Sequence, residues 1–477
     1  MFLAFAPLAA PQARARRPRA LTRPELVALA TVERELLAVA RAAAKAGDLV
    51  VAEREVRLGL ELWPEAPKLA AELARLEKLA DTGAPATASA RALEALPAKR
   101  EAAYAAAGTA LAGAAQAVQQ THPWRAQSYW DAVRTHFPST ADLQGADLVY
   151  HAPYAAWVTR EAAARLAAGD ELLEEGWLDA ATIEARDRAH ASWSDPWVLT
   201  DGLYEVRATV PLRTARQVLA WAGRYARHIL RQYGPACDLR PPAAPLVVLV
   251  TRTRTDLADR LRATDAGFGE EVLDGAAGFI RSDVGRDPVY VCLEYRASSG
   301  RVAALESFEQ LRVELTRALT TQLVSECARH RASANRVIEW QHWSFYAFAR
   351  YLAFSSHGEA GWQIRRPKVL ASPVGQTDTA FRWCRANPGK VLPLRELVRL
   401  PNDGFRDAQR LHMAGALGWF LLEGEGGKHA PRFLALLADV CHGLTTAELF
   451  ERHFAGVDLA VLQAEWERFV GAITFTE

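Results

Sequence analysis

Residues 305 to 329 read LESFEQLRVELTRALTTQLVSECAR, and this stretch decides how the second half of the chain folds. It contains no glycine or proline and is rich in leucine and glutamate, which favours an uninterrupted helix. Two apolar runs that read as strands precede it, residues 278 to 281 and 289 to 293, and a helix that begins at Trp343 follows it. The sequence therefore predicts a long helix between a pair of strands and further helices.

The region before these strands supplies the rest of a sheet. Residues 204 to 210 alternate apolar and polar side chains like a strand, and residues 212 to 233 predict a long helix. Residues 245 to 251, PLVVLVT, read as a buried strand. Because strands come first and nearly everything after residue 305 is helical, the order predicts an α+β fold with a small, mainly antiparallel sheet followed by helices.

The N-terminal region is predicted to be helical. Between residues 24 and 82 the helical pattern breaks at Gly47-Asp48 and again at Trp63-Pro64, and this spacing resembles a tetratricopeptide hairpin. Such a unit cannot bury its own apolar face, so it is expected to pack on its neighbours. Residues 82 to 97 are rich in Ala, Thr and Pro and predict a linker, and an Ala-rich helix is expected after it.

A short unit is duplicated in the middle of the chain. Residues 157 to 161, WVTRE, are echoed at residues 177 to 181, WLDAA. In both copies a Trp precedes a capping Thr or Asp and the start of an amphipathic helix, which predicts a hairpin followed by a helix. The tryptophans are open to two interpretations, a platform for a ligand or anchors that fix these small units to the next domain.

The composition excludes several classes of function. The 57 Lys and Arg residues nearly balance the 56 Asp and Glu residues, for a net charge of +1, so no overall field favours nucleic acid, an anionic membrane or an acidic substrate. The five cysteines are far apart in the sequence, which predicts buried apolar residues rather than a disulfide framework or a zinc knuckle.

The N-terminal segment, residues 1 to 23, leaves the location of the protein open. Residues 1 to 10 are apolar but too few to span a bilayer, and five arginines follow them. This pattern fits a signal-peptide remnant, and therefore export to the periplasm, but it lacks the charged residues that normally begin such a signal. A disordered arm on a cytoplasmic protein fits equally.

The central helix also carries a motif. Residues 311 to 319, LRVELTRAL, resemble the helix L-R-H-E-x-T-H-A-L of the gluzincin zinc peptidases, in particular their peptidase-MA-like group. In that group two histidines four residues apart bind zinc, and the Glu beside the first polarises the attacking water. The resemblance places Val313 and Arg317 at the two histidine positions and retains only Glu314, at the position of the general base.

A second motif of the same group lies about one helix further on. Residues 343 to 351, WSFYAFARY, resemble W-L-N-E-G-x-A-E-Y, in which the first Glu is the third zinc ligand. Trp343 and Tyr351 keep the aromatic frame, whereas Tyr346 stands at the ligand position and Arg350 at the second Glu. The resemblance implies that Trp343, Arg350 and Tyr351 line the former cleft.

The residues that stand at the ligand positions determine whether zinc can bind. Zinc in such a site needs three imidazole or carboxylate donors and a water molecule, whereas Val313 offers no donor and Arg317 brings a permanent positive charge. We therefore predict no metal, no cofactor and no catalytic residue, with Glu314 paired to Arg317 or Arg350 as a vestige.

The chain is accordingly divided into four parts. Residues 1 to 23 form the arm, residues 24 to 82 the tetratricopeptide-like hairpin, residues 83 to 196 a helical connector with the duplicated unit, and residues 197 to 477 a gluzincin-like domain without zinc ligands. The resemblance is consistent in order from about residue 197 to 470.

The leading hypothesis is a catalytically inactive metallopeptidase-like protein that binds a protein or peptide. The edge strand, residues 278 to 281 or 289 to 293, is where active relatives of this type would hold a peptide by strand addition. A second hypothesis is a structural component of a larger complex, with the old cleft filled. A third is an active hydrolase that uses Glu314 or a rescued metal site, for which the nearby candidates are Glu326, Cys327, His330 and His342.

Overall fold

The computed structural model describes residues 20–81, 90–141, 146–237, 239–242, 244–264, 278–280, 288–296, 302–304, 308–328, 342–353, 355–364, 379–400, 408–441, 443–444, 446 and 448–472. Most of the predicted N-terminal arm, up to residue 19, lies outside these residues. So does His330, one of the candidate ligands of a rescued metal site.

Six helices form the N-terminal region: α1 (Arg23–Lys45), α2 (Leu49–Leu62), α3 (Pro67–Asp81), α4 (Ala90–Val118), α5 (Pro123–His136) and α6 (Pro138–Ala141). The two predicted breaks are confirmed. Gly47 turns the chain with a φ of 88°, a conformation that glycine adopts readily, and the Asp48 carboxylate caps α2 by accepting from the Val51 N–H at 2.9 Å. Trp63 follows the last residue of α2.

The predicted linker is shorter than the composition indicated. Residues 82 to 89 lie outside the described residues, but α4 already begins at Ala90 and contains Pro97. Proline removes one N–H donor from a helix, yet the neighbouring Ala and Leu residues are strong helix formers and Leu96 is buried against the other N-terminal helices. Packing therefore overrides the composition between residues 90 and 97.

The duplicated unit is present as predicted. Its first copy is β1 (Leu148–His151), β2 (Ala156–Thr159) and α7 (Arg160–Ala168), and its second is β3 (Glu171–Leu173), β4 (Gly176–Leu178) and α8 (Ala180–Ala189). Each hairpin is antiparallel. Thr159 caps α7 by accepting from the Ala162 N–H, and Asp179 caps α8 by accepting from the Thr182 N–H.

A five-stranded sheet follows, with the strand order β5-β6-β7-β9-β8. Its elements in chain order are β5 (Trp197–Thr200), β6 (Tyr204–Ala208), α9 (Leu212–Gln232), α10 (Gly234–Cys237), β7 (Leu246–Thr251), α11 (Arg254–Thr264), β8 (Gly278–Ile280) and β9 (Val289–Cys292). Of the two predicted edge strands, β8 lies at the edge, whereas β9 lies inside the sheet between β7 and β8.

The direction of the strands refines one prediction. The two outer pairs of the five-stranded sheet, β5–β6 and β8–β9, are antiparallel. Both inner pairs, β6–β7 and β7–β9, are parallel. Helix α9 carries the chain back along the sheet between β6 and β7, and α11 and β8 lie between β7 and β9. The expected antiparallel pairing therefore describes the outer strands and the hairpins, and the sheet as a whole is mixed.

Two hairpins and eight helices make up the described C-terminal part. They are β10 (Glu294–Arg296), β11 (Val302–Ala304), α12 (Phe308–Ala328), α13 (Trp343–Leu352), β12 (Ser355–Gly358), β13 (Gly361–Ile364), α14 (Thr379–Ala386), α15 (Leu394–Leu397), α16 (Ala408–Glu423), α17 (Ala430–Cys441), α18 (Leu449–His453) and α19 (Leu459–Ala472). The predicted central helix is α12, and the α+β class is confirmed.

Helices α9 and α12 pack together through a polar pair of contacts inside an apolar core. The Trp221 indole N–H donates to Thr316 Oγ1 at 2.9 Å, and the Tyr225 hydroxyl lies 2.5 Å from Thr320 Oγ1. One hydrophobic cluster joins these helices to the sheet and to α13–α19, and it contains Cys237, Cys327, Cys384 and Cys441. Cys292 is also buried, so the prediction that the five cysteines are buried residues rather than a disulfide framework is confirmed.

Arginine side chains fix the N-terminal helices to this core. Arg57 of α2 donates to the carbonyl of Leu239 at 2.9 Å, and Arg231 of α9 bonds the Glu61 carboxylate of α2 at 2.6 Å. Arg224 of α9 bonds the Asp131 carboxylate of α5. Helices α2 and α5 are thus bound to α9, so the N-terminal helices pack on their neighbours as expected. No helix in the described part of the chain is long and apolar enough to cross a membrane.

The α9–α12 contact predicts a stability difference between two threonines. Thr316→Val removes the acceptor of the Trp221 indole and should lower the free energy of unfolding by about 1 to 3 kcal/mol, because a buried donor is left unsatisfied. Thr321→Val is the matched control. Thr321 is on the same helix and only half-buried, and its Oγ1 donates to the carbonyl four residues earlier at 3.1 Å. Urea unfolding of both variants measures the difference, and equal losses would contradict the assignment.

Candidate functional site

The two helices that carry the motifs, α12 and α13, pack against each other. His342 caps α13 by accepting from the Ser344 N–H. Trp343 is only 1% exposed and packs against Phe433 and Phe450, with ring centroids 6.0 and 5.9 Å away. The capping residue that precedes the second motif and the core tryptophan that begins it therefore hold α13 in place.

Three of the predicted site residues come together where the motifs meet. Tyr346 is half-buried, and burial raises the pKa of its phenol, while the positive charges of Arg317 and Arg350 oppose that rise. Arg350 lies four residues after Tyr346 on α13, and Arg317 lies on α12, which packs against α13. We call Arg317, Tyr346 and Arg350 the arginine face.

The other two positions of the first motif are placed only by their backbone. Val313 and Glu314 lie within α12, and their side chains are outside the described residues. The predicted pairing of Glu314 with Arg317 or Arg350 therefore stays a prediction. Residues 313 and 317 are four positions apart, so they lie on the same side of α12. Position 313 is therefore on the side of the helix that carries Arg317 of the arginine face.

The resemblance implies that Trp343 and Tyr351 line the former cleft, and the structure places both in contact with the core. The Tyr351 hydroxyl donates to Glu423 at 3.2 Å, and its ring centroid lies 5.1 Å from that of Trp419. Both residues are buried in the main hydrophobic cluster. Large aromatic side chains contribute more to a core than other residues, so the aromatic frame supports α13 from the inside.

Two of the residues considered for a rescued metal site, Cys327 and His342, are buried in uncharged forms. Burial raises the pKa of the Cys327 thiol, so it stays protonated. Burial lowers the pKa of His342 to about 4, and its Nδ1 lies 2.8 Å from Ser344 Oγ. Among the described side chains, no three His, Cys, Asp or Glu residues are grouped closely enough to hold a metal ion.

A pocket of about 510 Å³ lies at the N-terminal end of α12. Its walls are β1 and the short turn after it, the N-terminal half of α9, the first turns of α12, and the β12–β13 hairpin. The lining residues are Tyr150, Ala152, Pro153, Tyr154, Ala155, Gln217, Trp221, Phe308, Arg312, Ser356, His357, Gly358, Glu359, Ala360 and Gln363. We call this space the α12 pocket; its volume is in the range of ligand sites, and the arginine face does not contribute to it.

Arg312 places a buried positive charge in the α12 pocket. The residue is 7% exposed, its Nη1 donates to the carbonyl of Ser355, and its guanidinium carbon lies 5.1 Å from the ring centroid of Trp221. A guanidinium held by a carbonyl and an aromatic face has a fixed orientation. Arg312 directly precedes Val313 in the first motif, but nothing in that motif indicated a role for it.

A buried carboxylate holds Tyr154, another residue of the pocket wall. Glu171 is 1% exposed; the Tyr154 hydroxyl lies 2.6 Å from each of its oxygens, and Arg213 and Arg216 bond it at 2.9 and 2.5 Å. Ala155, the next residue after Tyr154, has a φ of 48°, a left-handed conformation that costs a non-glycine residue about 1 kcal/mol. Backbone strain of this kind is found at functional sites, where the surroundings enforce it.

The side of the pocket formed by the β12–β13 hairpin carries a neutral histidine. The Tyr150 hydroxyl donates to the carbonyl of His357 at 2.6 Å and lies 3.1 Å from its Nδ1. Since the hydroxyl has a single proton, Nδ1 must carry its own and donate it, which leaves Nε2 as an acceptor. Burial, followed by the positive charge of Arg224, lowers the pKa of His357 to about 3.

A second neutral histidine lies behind His357. The ring of His228 stacks on Trp362 with centroids 4.3 Å apart, and Trp362 also contacts the ring of His357 at 5.1 Å. Burial, followed by the charge of Arg231, lowers the pKa of His228 to about 3. The hairpin is therefore joined to α9 through uncharged rings.

No protein-family model and no curated protein matches this sequence.

These histidines predict a loss of stability in mild acid. Both have a pKa near 3 in the folded protein, lowered from an ordinary value of 6.5, so between these values the unfolded chain binds more protons. Stability should therefore be complete above pH 6.5 and fall as the pH is lowered from there toward 3, by roughly 1 to 2 kcal/mol for each histidine between pH 7 and pH 5.

Urea unfolding at pH 7 and pH 5 measures this loss. His357→Gln should reduce the difference between the two pH values, because glutamine does not titrate. His190→Gln is the control, since His190 packs on Trp197 outside this group and its replacement should leave the difference as in the wild type. A wild-type protein equally stable at both pH values would refute the assignment.

Proposed function

We propose that this protein is a catalytically inactive, metallopeptidase-like protein that acts by binding a segment of another protein or a peptide. The observation that carries the proposal is the arginine face. Two guanidinium groups act on the Tyr346 phenol, and the resemblance implies that they stand where the resembled peptidases hold zinc. Guanidinium groups are permanently charged and donate no electron pair, so they disfavour a divalent cation.

The fold around α12 supports binding by strand addition. Strand β8 is at the edge of the five-stranded sheet, runs antiparallel to β9 and packs against α12. The outward backbone groups of an edge strand form a template for an extended peptide. A peptide paired with β8 would run beside α12, the helix that carries Arg317.

The metal content of the purified full-length chain tests the loss of chemistry. We expect less than stoichiometric zinc after incubation with zinc and dialysis, because Arg317 and Arg350 repel the ion and Val313 offers no donor. The positive control is the triple variant Val313→His, Arg317→His, Tyr346→Glu, which restores the ligand set that the resemblance implies and should bind about one zinc ion per chain. Stoichiometric zinc in the wild type would overturn the proposal; zinc in neither protein would refute the gluzincin-like geometry.

A peptide array tests the binding role. Peptides that bind the wild type should lose affinity about tenfold or more with Phe279→Pro, because proline in β8 removes a backbone donor. Val198→Pro is the matched control, since Val198 lies on β5, the other edge strand of the same sheet, and it should keep binding. Circular dichroism must show both variants folded, and the absence of any β8-dependent peptide would count against the proposed function.

A further inference from the structure

We infer that the α12 pocket binds a ligand with a single carboxylate carried on an aromatic or branched apolar group. This inference is independent of the proposed function, because the pocket and the arginine face share no lining residue. Three features of the pocket lead to it: a fixed guanidinium, rigid aromatic walls and an acidic residue at the rim.

The carboxylate is assigned from Arg312. Its guanidinium is held in one orientation by the Ser355 carbonyl and the Trp221 ring. A guanidinium has five N–H donors in a planar fork, the geometry that matches a carboxylate best. Because the side chain is already ordered and buried at 7% exposure, binding an anion there requires little further loss of side-chain entropy.

The N-terminal end of α12 adds to the positive potential that Arg312 creates in the pocket. Phe308, the first residue of this 21-residue helix, lines the pocket together with Arg312. The first backbone N–H groups of a helix have no partner within the helix, and the helix dipole is positive at this end. An anion beside Arg312 is therefore favoured by a second positive field.

The apolar part of the ligand is assigned from four aromatic side chains that line the pocket, Tyr150, Tyr154, Trp221 and Phe308. Three of them are held by hydrogen bonds at their polar ends: Tyr150 to the His357 carbonyl, Tyr154 to Glu171 and Trp221 to Thr316. Rings that are fixed in this way keep their apolar faces available without rearrangement. A flat or branched apolar group complements them.

The rim limits the charge of the ligand. Glu359 lines the pocket and is exposed to solvent, so a second carboxylate near the entrance would meet a like charge. Gln217 and Gln363 also line this space, and side-chain amides pair with amide groups of a ligand. A monoanion with one amide, such as an N-acylated amino acid or the last residue of a peptide, fits this arrangement.

Calorimetric titration of the full chain tests the inference with three probes: N-acetyl-phenylalanine, its primary amide, and phenylsuccinate, which has two carboxylates. We expect the monoacid to bind about tenfold or more tightly than either of the others, because only the monoacid has one negative charge for Arg312 and none for Glu359 to repel. Equal binding of the acid and the amide would overturn the inference.

Two variants locate the binding. Ala152→Trp fills the pocket from an exposed lining residue and should abolish binding without disturbing the core. Ala181→Trp, on an exposed alanine of α8 outside the pocket, is the control and should bind like the wild type. Arg312→Gln should remove the preference for the acid over the amide. Acid binding that survives in Ala152→Trp would refute the assignment.

A pentapeptide that ends in phenylalanine, with a free or an amidated C-terminus, distinguishes the two sources of such a ligand. If the free-acid peptide binds as tightly as N-acetyl-phenylalanine, the ligand is the C-terminus of a peptide. If only the small acid binds, it is a free carboxylic acid. Both results support the inference, and failure of every acid to bind would refute it.

Discussion

The contact between α9 and α12 is the constraint on which the rest of the molecule depends. The indole of Trp221 and the hydroxyl of Tyr225 find their polar partners on Thr316 and Thr320, so the two helices have one register in which both groups are satisfied. A shift by one residue would leave a buried donor without an acceptor. That register places Trp221 beside Arg312 and so forms the α12 pocket, and it directs the other side of α9 toward the N-terminal helices.

Under the proposed function, the arginine face takes the place of a cation-binding arrangement without loss of the fold. A metal ion joins helices by taking electron pairs from several side chains, whereas Arg317 and Arg350 bring positive charge on the ends of their own side chains. The helices then need another source of cohesion. Here the packing of Trp343 against Phe433 and Phe450 supplies it from the core side of α13.

Local signals in the sequence predicted the local structure well. Gly47 and Asp48 fixed a turn and a cap because the left-handed conformation and the capping carboxylate are properties of single residues, and the same holds for Thr159 and Asp179. The parallel pairs of the sheet were not predicted, since strand direction depends on where α9 returns the chain. The burial of Trp343 was missed because an aromatic residue in a motif does not reveal which side of the helix faces solvent.

The α12 pocket was beyond the reach of the sequence for a related reason. It is formed by residues from β1, α9, α12 and a hairpin, which are separated by up to about 200 positions in the chain, and no motif connects them. Arg312 was visible only as the neighbour of Val313. Its contact with the aromatic ring of Trp221 is what distinguishes Arg312 from the other arginine of α12, and that contact exists only after the chain has folded.

The arginine links across α9 also determine how the protein comes apart. Glu61 of α2 has a lowered pKa, because Arg231, His136 and Arg227 together outweigh the effect of its burial. Removing α2 from α9 would leave that carboxylate without the charges that stabilise it, and would separate Arg231 from the carboxylate that it bonds. The N-terminal helices and the mixed sheet are therefore expected to unfold as one cooperative unit. A destabilising substitution in either part should lower the stability of both.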